Sequence, residues 1–229
     1  MDDFLKRLLP LSYPLGADAP DRFTDAENTT SPLILDLNGD GVKTLSQSAG
    51  KHFDHAGDGF AERTGWVDKD DGLLVRDLDG DGKISSGREL FGNRTRLSQG
   101  ANAGKDAANG FEALRELDSN DDGLVDDKDT AFASLRVWKD ANSDGLTDAG
   151  DLLTPAQAGA QSLDLKYSDQ LSGHLAHAQG NHNRQLGSYA TTGGATRRLV
   201  KVCFVDRTLI DKLETTQAAV NQTLWRQAG

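Results

Sequence analysis

Two twelve-residue segments near the middle of the chain repeat one pattern of oxygen-bearing residues. They read DSNDDGLVDDKD at residues 118–129 and DANSDGLTDAGD at residues 140–151. Both place acids at positions 1, 5, 9 and 12, Asn at position 3 and Gly at position 6. This order is typical of a calcium loop, because Ca²⁺ takes about six to eight oxygen ligands and Gly allows the sharp turn. The predicted ligands are Asp118, Asn120, Asp122, Leu124 (through its carbonyl) and Asp129 in the first segment, and Asp140, Asn142, Asp144, Leu146 (carbonyl) and Asp151 in the second.

Three upstream segments begin with the same pattern and then depart from it. The first has Gln47 at position 12 and therefore lacks a closing acid within its own run. The second has Ala56 at position 3, and the third reaches its acid, Glu89, at position 13 instead of 12. The ligands predicted for the three loops are Asp36, Asn38, Asp40 and Val42; Asp54, Asp58, Phe60 and Glu62; and Asp77, Asp79, Asp81, Lys83 and Glu89.

The composition narrows the range of partners. The chain of 229 residues has 36 acidic and 25 basic side chains, and its formal net charge is −11. A nucleic-acid-binding face should be basic, so calcium is expected as the partner and nucleic acid is not. The single cysteine, Cys203, excludes an internal disulfide framework and is predicted to be a core residue. Neither a cleavable signal peptide nor a membrane span is expected.

The coarse secondary structure predicts an α+β fold, with EF-hand-like calcium loops and short helices packed with small antiparallel β elements. Trp66 and Trp138 lie in apolar runs and are expected in the core. Strands are predicted at Pro32–Leu35, Leu73–Val75, Ser162–Ser168, Leu186–Thr191 and Arg198–Val205, the last two joined by a hairpin at Gly193–Gly194. Helical segments are predicted at Gly110–Leu117, Glu89–Gly92, after Thr154, and at Thr208–Gln227.

These elements divide the chain into three parts. Residues 1–31 are interpreted as an N-terminal segment and linker, residues 32–206 as the calcium-binding module, and residues 207–229 as a C-terminal helix. Among the histidines, His52 and His55 are expected to make structural hydrogen bonds. His174, His177 and His182 are assigned to a solvated loop, since no cluster of cysteines or acids supports a transition-metal site.

The order of the pieces PLILDLNGDGV, TGW, GRELFG and the two complete loops resembles the calcium-dependent self-processing module of FrpC-like RTX proteins from Gram-negative bacteria. The likeness covers about Pro32–Asp169. The resemblance implies that calcium folds the module, and that the folded module breaks an Asp–Pro bond at its own N-terminus. The freed aspartyl group can then link to a lysine amine. It also implies a secreted protein, exported through a non-cleaved signal or as part of a larger chain.

One residue departs from the family pattern at the bond that would be cleaved. The scissile Asp is replaced by Ser31, before Pro32, and no Asp–Pro pair occurs in the sequence. Cleavage through an aspartyl anhydride needs a carboxylate, so a calcium-binding module inactive in cleavage is the leading interpretation. Two alternatives remain open: a self-processing and cross-linking module that has lost its scissile Asp, and a dockerin-like docking module that binds another protein.

Overall fold

The centre of the fold is the short apolar segment Leu33–Leu35, which forms strand β1 and is fully buried. The computed structural model describes residues 31–169 and 177–204. β1 pairs antiparallel with Thr196–Cys203 on one side and with Gly72–Val75 on the other. A strand covered on both faces has no polar side to present, which explains its uninterrupted run of apolar residues.

Short strands are the main regular secondary structure of the described residues. One α-helix, α1 (Gly110–Arg115), and two 3₁₀ turns, Gly100–Asn102 and Phe132–Ser134, accompany them. The strands are β1 (Leu33–Leu35), β2 (Thr44–Leu45), β3 (His52–Phe53), β4 (Glu62–Arg63), β5 (Trp66–Val67), β6 (Gly72–Val75), β7 (Leu124–Val125), β8 (Arg136–Trp138), β9 (Leu152–Leu153), β10 (Ala160–Ser168), β11 (His177–Ala178), β12 (Asn181–Thr191) and β13 (Thr196–Cys203).

Nine of these strands form one sheet in the order β7-β10-β12-β13-β1-β6-β8-β9, with β11 paired to β12. Two-stranded ribbons, β2 with β5 and β3 with β4, lie outside this sheet. The predicted hairpin at Gly193–Gly194 is confirmed: it joins β12 to β13, with Ala190 opposite Thr196. Gly194 has φ of +82°, as the tight turn requires.

The two faces of the sheet cover two separate cores. Leu33 and Leu35 point into the first core, where they join residues of α1, while Ile34 points into the second. The second core is aromatic and contains Trp66 and Trp138, both fully buried and 5.4 Å apart between ring centroids. The predicted core positions of the two tryptophans and of Cys203 are therefore confirmed. No helix among the described residues has the length and apolar character that crossing a membrane requires.

The predicted α+β fold class with EF-hand-like helices is wrong. The structure is mainly β, with 34% strand and 7% helix. The segments that enter the loops are short apolar runs, and isolated helices of that length are unstable, so sheet pairing decides their conformation. Loops begin within two residues of the ends of β1, β6 and β8, which are neighbours in the sheet, and only the loop at Asp118 follows a helix.

The local secondary structure agrees with the prediction at one helix and differs from it at two other segments. The helix predicted at Gly110–Leu117 is confirmed as α1, with the Asn109 side chain accepting the Glu112 N–H at its start. The helical turn predicted at Glu89–Gly92 is wrong: Leu90 instead forms a β-bridge with Val75. The segment after Thr154 forms turns rather than a helix. The predicted C-terminal helix lies outside the described residues.

Candidate calcium-binding loops

All five acidic segments fold into loops with one backbone geometry. In each, an oxygen of the position-1 carboxylate accepts a hydrogen bond from the N–H of the position-6 glycine, at 2.8–3.0 Å. Each glycine has φ between +77° and +96°, a conformation that a side chain would resist. The five pairs are Asp36 with Gly41, Asp54 with Gly59, Asp77 with Gly82, Asp118 with Gly123, and Asp140 with Gly145.

Position 4 of every loop is left-handed as well. Three loops have Gly39, Gly57 or Gly80 there, whereas the two complete loops have Asp121 with φ of +58° and Ser143 with φ of +53°. A side chain other than glycine in this region costs about 1 kcal/mol or more. Two left-handed residues within three positions curl the chain around the position-1 carboxylate.

The loop that begins at Asp77 brings its acids closest together. Carboxylate oxygens of Asp77, Asp79 and Glu89 all lie within 4.8 Å of one another. Glu89 accepts the N–H of Leu78 at 3.3 Å and that of Ser85 at 2.8 Å. The extra residue before Glu89 is therefore accommodated, and the acid at position 13 faces the same centre as the acids at positions 1 and 3. The predicted Asp81 and Lys83 lie exposed in the same loop.

The loop at Asp118 is closed by a buried acid. Asp129 is 4% exposed and accepts the N–H of Ser119 at 2.7 Å and that of Asp126 at 2.9 Å. Burial raises the pKa of Asp129, but the backbone N–H donors outweigh this and hold it below its usual value. Lys128 donates to Asp126 at 2.9 Å on the solvent side. The predicted Asn120, Asp122 and Leu124 lie in the same loop, where the Leu124 N–H donates to Asp122.

The loop at Asp140 is attached directly to the second core. Asp140 is fully buried, and its Oδ2 accepts the indole N–H of Trp66 at 2.7 Å. At the far end of the loop, Asp151 accepts the N–H of Asp148 at 3.0 Å. The predicted Asn142, Asp144 and Leu146 are closer to solvent. A position-1 carboxylate is thus part of the hydrophobic core of the protein.

The loops at Asp77 and Asp140 also contact each other. The N–H of Ile84 donates to the Thr147 hydroxyl at 2.9 Å. These two residues occupy position 8 of their respective loops. The backbones of the two candidate sites are therefore joined at equivalent positions.

The loop at Asp54 keeps the common backbone but has fewer oxygen donors. Ala56 supplies no side-chain oxygen at position 3. Asp58 and Phe60 are exposed, with Phe60 at 74%, and Glu62 lies in β4 beside Phe53 of β3. This loop is the least complete of the five in the donors it presents.

The loop at Asp36 contains an acid that the sequence pattern missed. Asn38, Asp40 and Val42 lie in the loop as predicted, but Gln47, at position 12, donates instead to the carbonyl of Arg63. Asp71 is fully buried and accepts the N–H of Leu37 at 3.3 Å and that of Lys43 at 2.7 Å. Burial is the main cause that raises the pKa of Asp71 to about 7. In the sequence, Asp71 could not be distinguished from its neighbours Asp68 and Asp70, because no pattern sets one of the three acids apart.

Ser31 and Pro32 are enclosed at the entrance to β1. Ser31 is fully buried, its N–H donates to the Asn93 side chain at 3.2 Å, and its hydroxyl has no partner among the described residues. The carbonyl of Pro32 accepts the N–H of Val202 at 3.1 Å. A Cβ on Gly92 would lie 2.9 Å from the Ser31 carbonyl oxygen, so a glycine is needed there. The protein therefore holds this peptide in one position.

His55 has a structural role, as expected. It is buried among Phe53, Trp66 and Phe204, and its Nε2 hydrogen-bonds with the Thr64 hydroxyl at 2.8 Å. Burial lowers the pKa of His55 to about 3, so it is neutral near neutral pH.

The donor set of the loops is made of oxygen atoms, which suits a hard cation such as Ca²⁺ and not a metal that prefers nitrogen or sulfur. A buried carboxylate is costly unless a cation or strong donors compensate it. Four carboxylates of these loops, those of Asp36, Asp71, Asp129 and Asp140, are at most 4% exposed. The residues present therefore fit calcium.

Comparison with known proteins identifies the family. Residues 33–205 match the SPM domain. The chain is also 48% identical over 170 residues to the iron-regulated protein FrpA of Neisseria meningitidis serogroup C, covering 73% of this chain and 15% of that protein. The chain thus spans less than a sixth of the length of this relative. The family match covers most of the chain and includes all five acidic loops, so the protein belongs to the SPM domain family.

Proposed function

We propose that the protein is a calcium-binding module of an RTX-type bacterial protein, that it folds on binding several calcium ions, and that it does not cleave itself. The main support is the convergence of the Asp77, Asp79 and Glu89 oxygens within 4.8 Å, in a backbone geometry that four other loops repeat. In each loop the position-1 carboxylate would hold the ion, together with the closing acid where the loop has one. The bound ion would supply positive charge where acids are gathered.

Folding and binding would be coupled through the buried acids. Asp140 is buried against Trp66 of the second core, and Asp129 is buried two residues before Ala131, which packs against the first core. A cation that binds only the folded state stabilises it by about 2.7 kcal/mol at a hundredfold excess over Kd, and the contributions of separate sites add. The chain without calcium would retain the repulsion among these acids.

The test is a calcium titration by isothermal calorimetry, with thermal unfolding followed by circular dichroism. Asp77→Asn should remove or weaken one site, because it neutralises a converging carboxylate. Asp164→Asn is the matched control, since Asp164 lies on β10 outside the acidic loops and its carboxylate accepts the N–H of Lys166. A wild-type protein that binds no calcium, or that gains no more stability from calcium than from an equal ionic strength of NaCl, would refute the proposal.

A second candidate function has its own support. The enclosure of Ser31 and Pro32 by Asn93, Gly92 and Val202 favours a processing site whose surroundings persist although the carboxylate is lost. If so, Ser31→Asp should cleave before Pro32 when calcium is added, and Ser31→Ala should remain whole. If the Ser31→Asp chain folds in calcium and is not cleaved, the second candidate function is refuted and only the calcium-binding function remains.

The relationship to FrpA supports a proposal about the parent protein. A match to 15% of a long relative is consistent with a module of a larger, exported protein. The mainly β architecture does not favour the dockerin-like alternative, because three of the five loops follow neighbouring strands of one large sheet.

A further inference from the structure

A fully buried lysine lies beside the entrance to β1. Lys201 is 1% exposed and is among the largest side chains that solvent does not reach. It lies on β13 directly opposite Leu33 of β1, and residues paired in this way in antiparallel strands share one face of the sheet. Because Leu33 belongs to the first core, Lys201 points to that side as well. Lysine is almost never fully buried, so its burial here indicates a use for the charge.

The peptide at Ser31 continues the same strand pairing. The carbonyl of Pro32 accepts the N–H of Val202 at 3.1 Å, so the pairing of β1 with β13 extends beyond Leu33. Side chains alternate between the two faces along an extended chain, which places Ser31 on the face that carries Leu33 and Lys201. Ser31 is fully buried, and its hydroxyl has no partner among the described residues. A buried hydroxyl without a partner is unfavourable, so the surroundings of Ser31 suit another side chain better than serine.

We propose that Lys201 is a positioning residue for this peptide and that its ammonium group is placed to pair with a carboxylate at position 31. The two positions are diagonal neighbours on one face of the sheet, where residues lie about 7–8 Å apart and long side chains can meet. Serine is short and uncharged, whereas an aspartate side chain extends further and carries the complementary charge. The inference rests on the second candidate function, the processing site, and names a residue for it outside the calcium loops.

Cleavage through an anhydride needs such a cation at a buried position. Burial raises the pKa of a carboxyl group, and a protonated acid is a poor nucleophile, whereas an opposite charge within about 4–6 Å keeps the group ionised. In the reaction, a carboxylate oxygen of residue 31 attacks the carbonyl carbon of the same residue and the C–N bond to Pro32 breaks. The nitrogen takes a proton from water, and the hydroxide formed opens the cyclic anhydride. Lys201 would touch none of these bonds; it would hold the carboxylate charged and in place.

Two other charged groups lie near this pair. Gln185, opposite Lys201 on β12, donates to Asp169 at 2.8 Å, and Asp169 is exposed. On the other side, Arg94 follows the residue whose side chain accepts the Ser31 N–H, and the buried Nε of Arg94 has no partner among the described residues. Arg94 is therefore the competing cation for a carboxylate at position 31, and the experiment must distinguish it from Lys201.

The rate of cleavage of the full chain with Ser31→Asp tests the proposal. In calcium, adding Lys201→Met should slow release of the fragment that begins at Pro32 about tenfold or more near neutral pH, because more of the carboxyl group is then protonated. The two rates should converge as the pH rises, which a merely structural role would not produce. Arg94→Met should leave the rate unchanged, and so should Lys166→Met, which removes the same charge from an exposed position on β10. Equal rates with and without Lys201→Met, or a loss confined to Arg94→Met, would overturn the proposal.

A second measurement applies if the Ser31→Asp chain folds in calcium and is not cleaved. That result refutes the processing function, but the ion pair can still be tested. Urea unfolding then compares Ser31→Asp with Ser31→Asn, which has nearly the same shape without the charge. With Lys201 in place, the Ser31→Asp chain should be at least as stable as the Ser31→Asn chain, and with Lys201→Met it should be the less stable of the two. The same order in both backgrounds would overturn the proposal.

A measurement on chains that keep Lys201 covers the case in which Lys201→Met does not fold. If the Ser31→Asp chain is cleaved, a rate that stays constant around neutral pH supports a carboxylate that is already ionised, and a rate that rises with pH contradicts it. If the chain is not cleaved, the comparison with Ser31→Asn decides. A Ser31→Asp chain that is clearly less stable than the Ser31→Asn chain would show that no cation meets the carboxylate.

Discussion

Replacing Trp66 with phenylalanine should cost markedly more stability than the same change at Trp138. Both side chains are fully buried in the second core and contact Phe53. Trp66 donates to Asp140 at 2.7 Å, whereas the indole N–H of Trp138 has no partner among the described residues. The pair of variants therefore separates the loss of this hydrogen bond from the loss of core volume.

The magnitude follows from these two terms. Trimming the indole to a phenyl ring costs about 1–2 kcal/mol at either position, less than the full truncation of a buried aromatic residue. Losing a hydrogen bond to a charged group adds about 1.5–3 kcal/mol at Trp66 only. At Trp138 the change removes a donor without a described partner, which reduces its cost. A gap of about 2 kcal/mol corresponds to about 4–8 °C in Tm for a chain of this size.

Urea unfolding in saturating calcium, followed by circular dichroism, measures the gap. Calorimetric titration should also show weaker calcium binding at one site for Trp66→Phe and unchanged binding for Trp138→Phe. Equal losses for the two variants, or a larger loss at Trp138, would mean that the Trp66–Asp140 hydrogen bond does not connect the core to the loop.

Three further outcomes are expected. Adding EDTA should lower Tm by many degrees, because each occupied site contributes about 2.7 kcal/mol at a hundredfold excess of calcium; an unchanged melt would contradict calcium-coupled folding. Asp118→Ala and Asp140→Ala should each destabilise the protein more than Asp54→Ala, since the last acts on the loop with fewest donors; calorimetry in saturating calcium gives the ranking. The unmodified chain should remain whole in calcium, because the Ser31 hydroxyl has no activating base among the described residues; a fragment beginning at Pro32 in a mass spectrum would show otherwise.

The loops could be predicted from the sequence because their geometry is local. The bond from the Gly145 N–H to Asp140 spans five residues, and the left-handed φ that it needs selects glycine. Glu89 could also be predicted as a ligand of its loop, because one added residue is a small change in a turn. Such short-range constraints produce a fixed spacing of acids and glycine that can be recognised in a single sequence.

The architecture around the loops could not be predicted in the same way. Short apolar runs such as Leu73–Val75 are compatible with a buried strand or with part of a buried helix, and periodicity does not distinguish them. The calcium-loop motif suggested flanking helices by analogy. Pairing of β1 with β13, which joins residues about 170 positions apart, decides in favour of the sheet. A short segment of the sequence, considered by itself, does not show this long-range pairing.

Asp71 illustrates the same limit within the site itself. The sequence showed Asp68, Asp70 and Asp71 as equivalent acids before a strand. The pairing of β6 with β1 brings the carboxylate of Asp71, and not those of the other two, into hydrogen bonds with the loop at Asp36. A motif read along the chain can report a missing acid, but it cannot report which distant residue packs against the loop instead.

The position of β1 connects the candidate calcium loops to the peptide at Ser31. The loop at Asp77 ends at Glu89, and two residues later the carbonyl of Phe91 accepts the N–H of Leu33. An ion that fixes Glu89 would therefore order the segment that holds the start of β1 in place. The loop at Asp36 constrains the other end of the same strand. Calcium would thus fix both ends of a three-residue strand that starts two residues after position 31. This arrangement gives a physical reason why any chemistry at that peptide would depend on calcium, even though no calcium ligand needs to touch the bond.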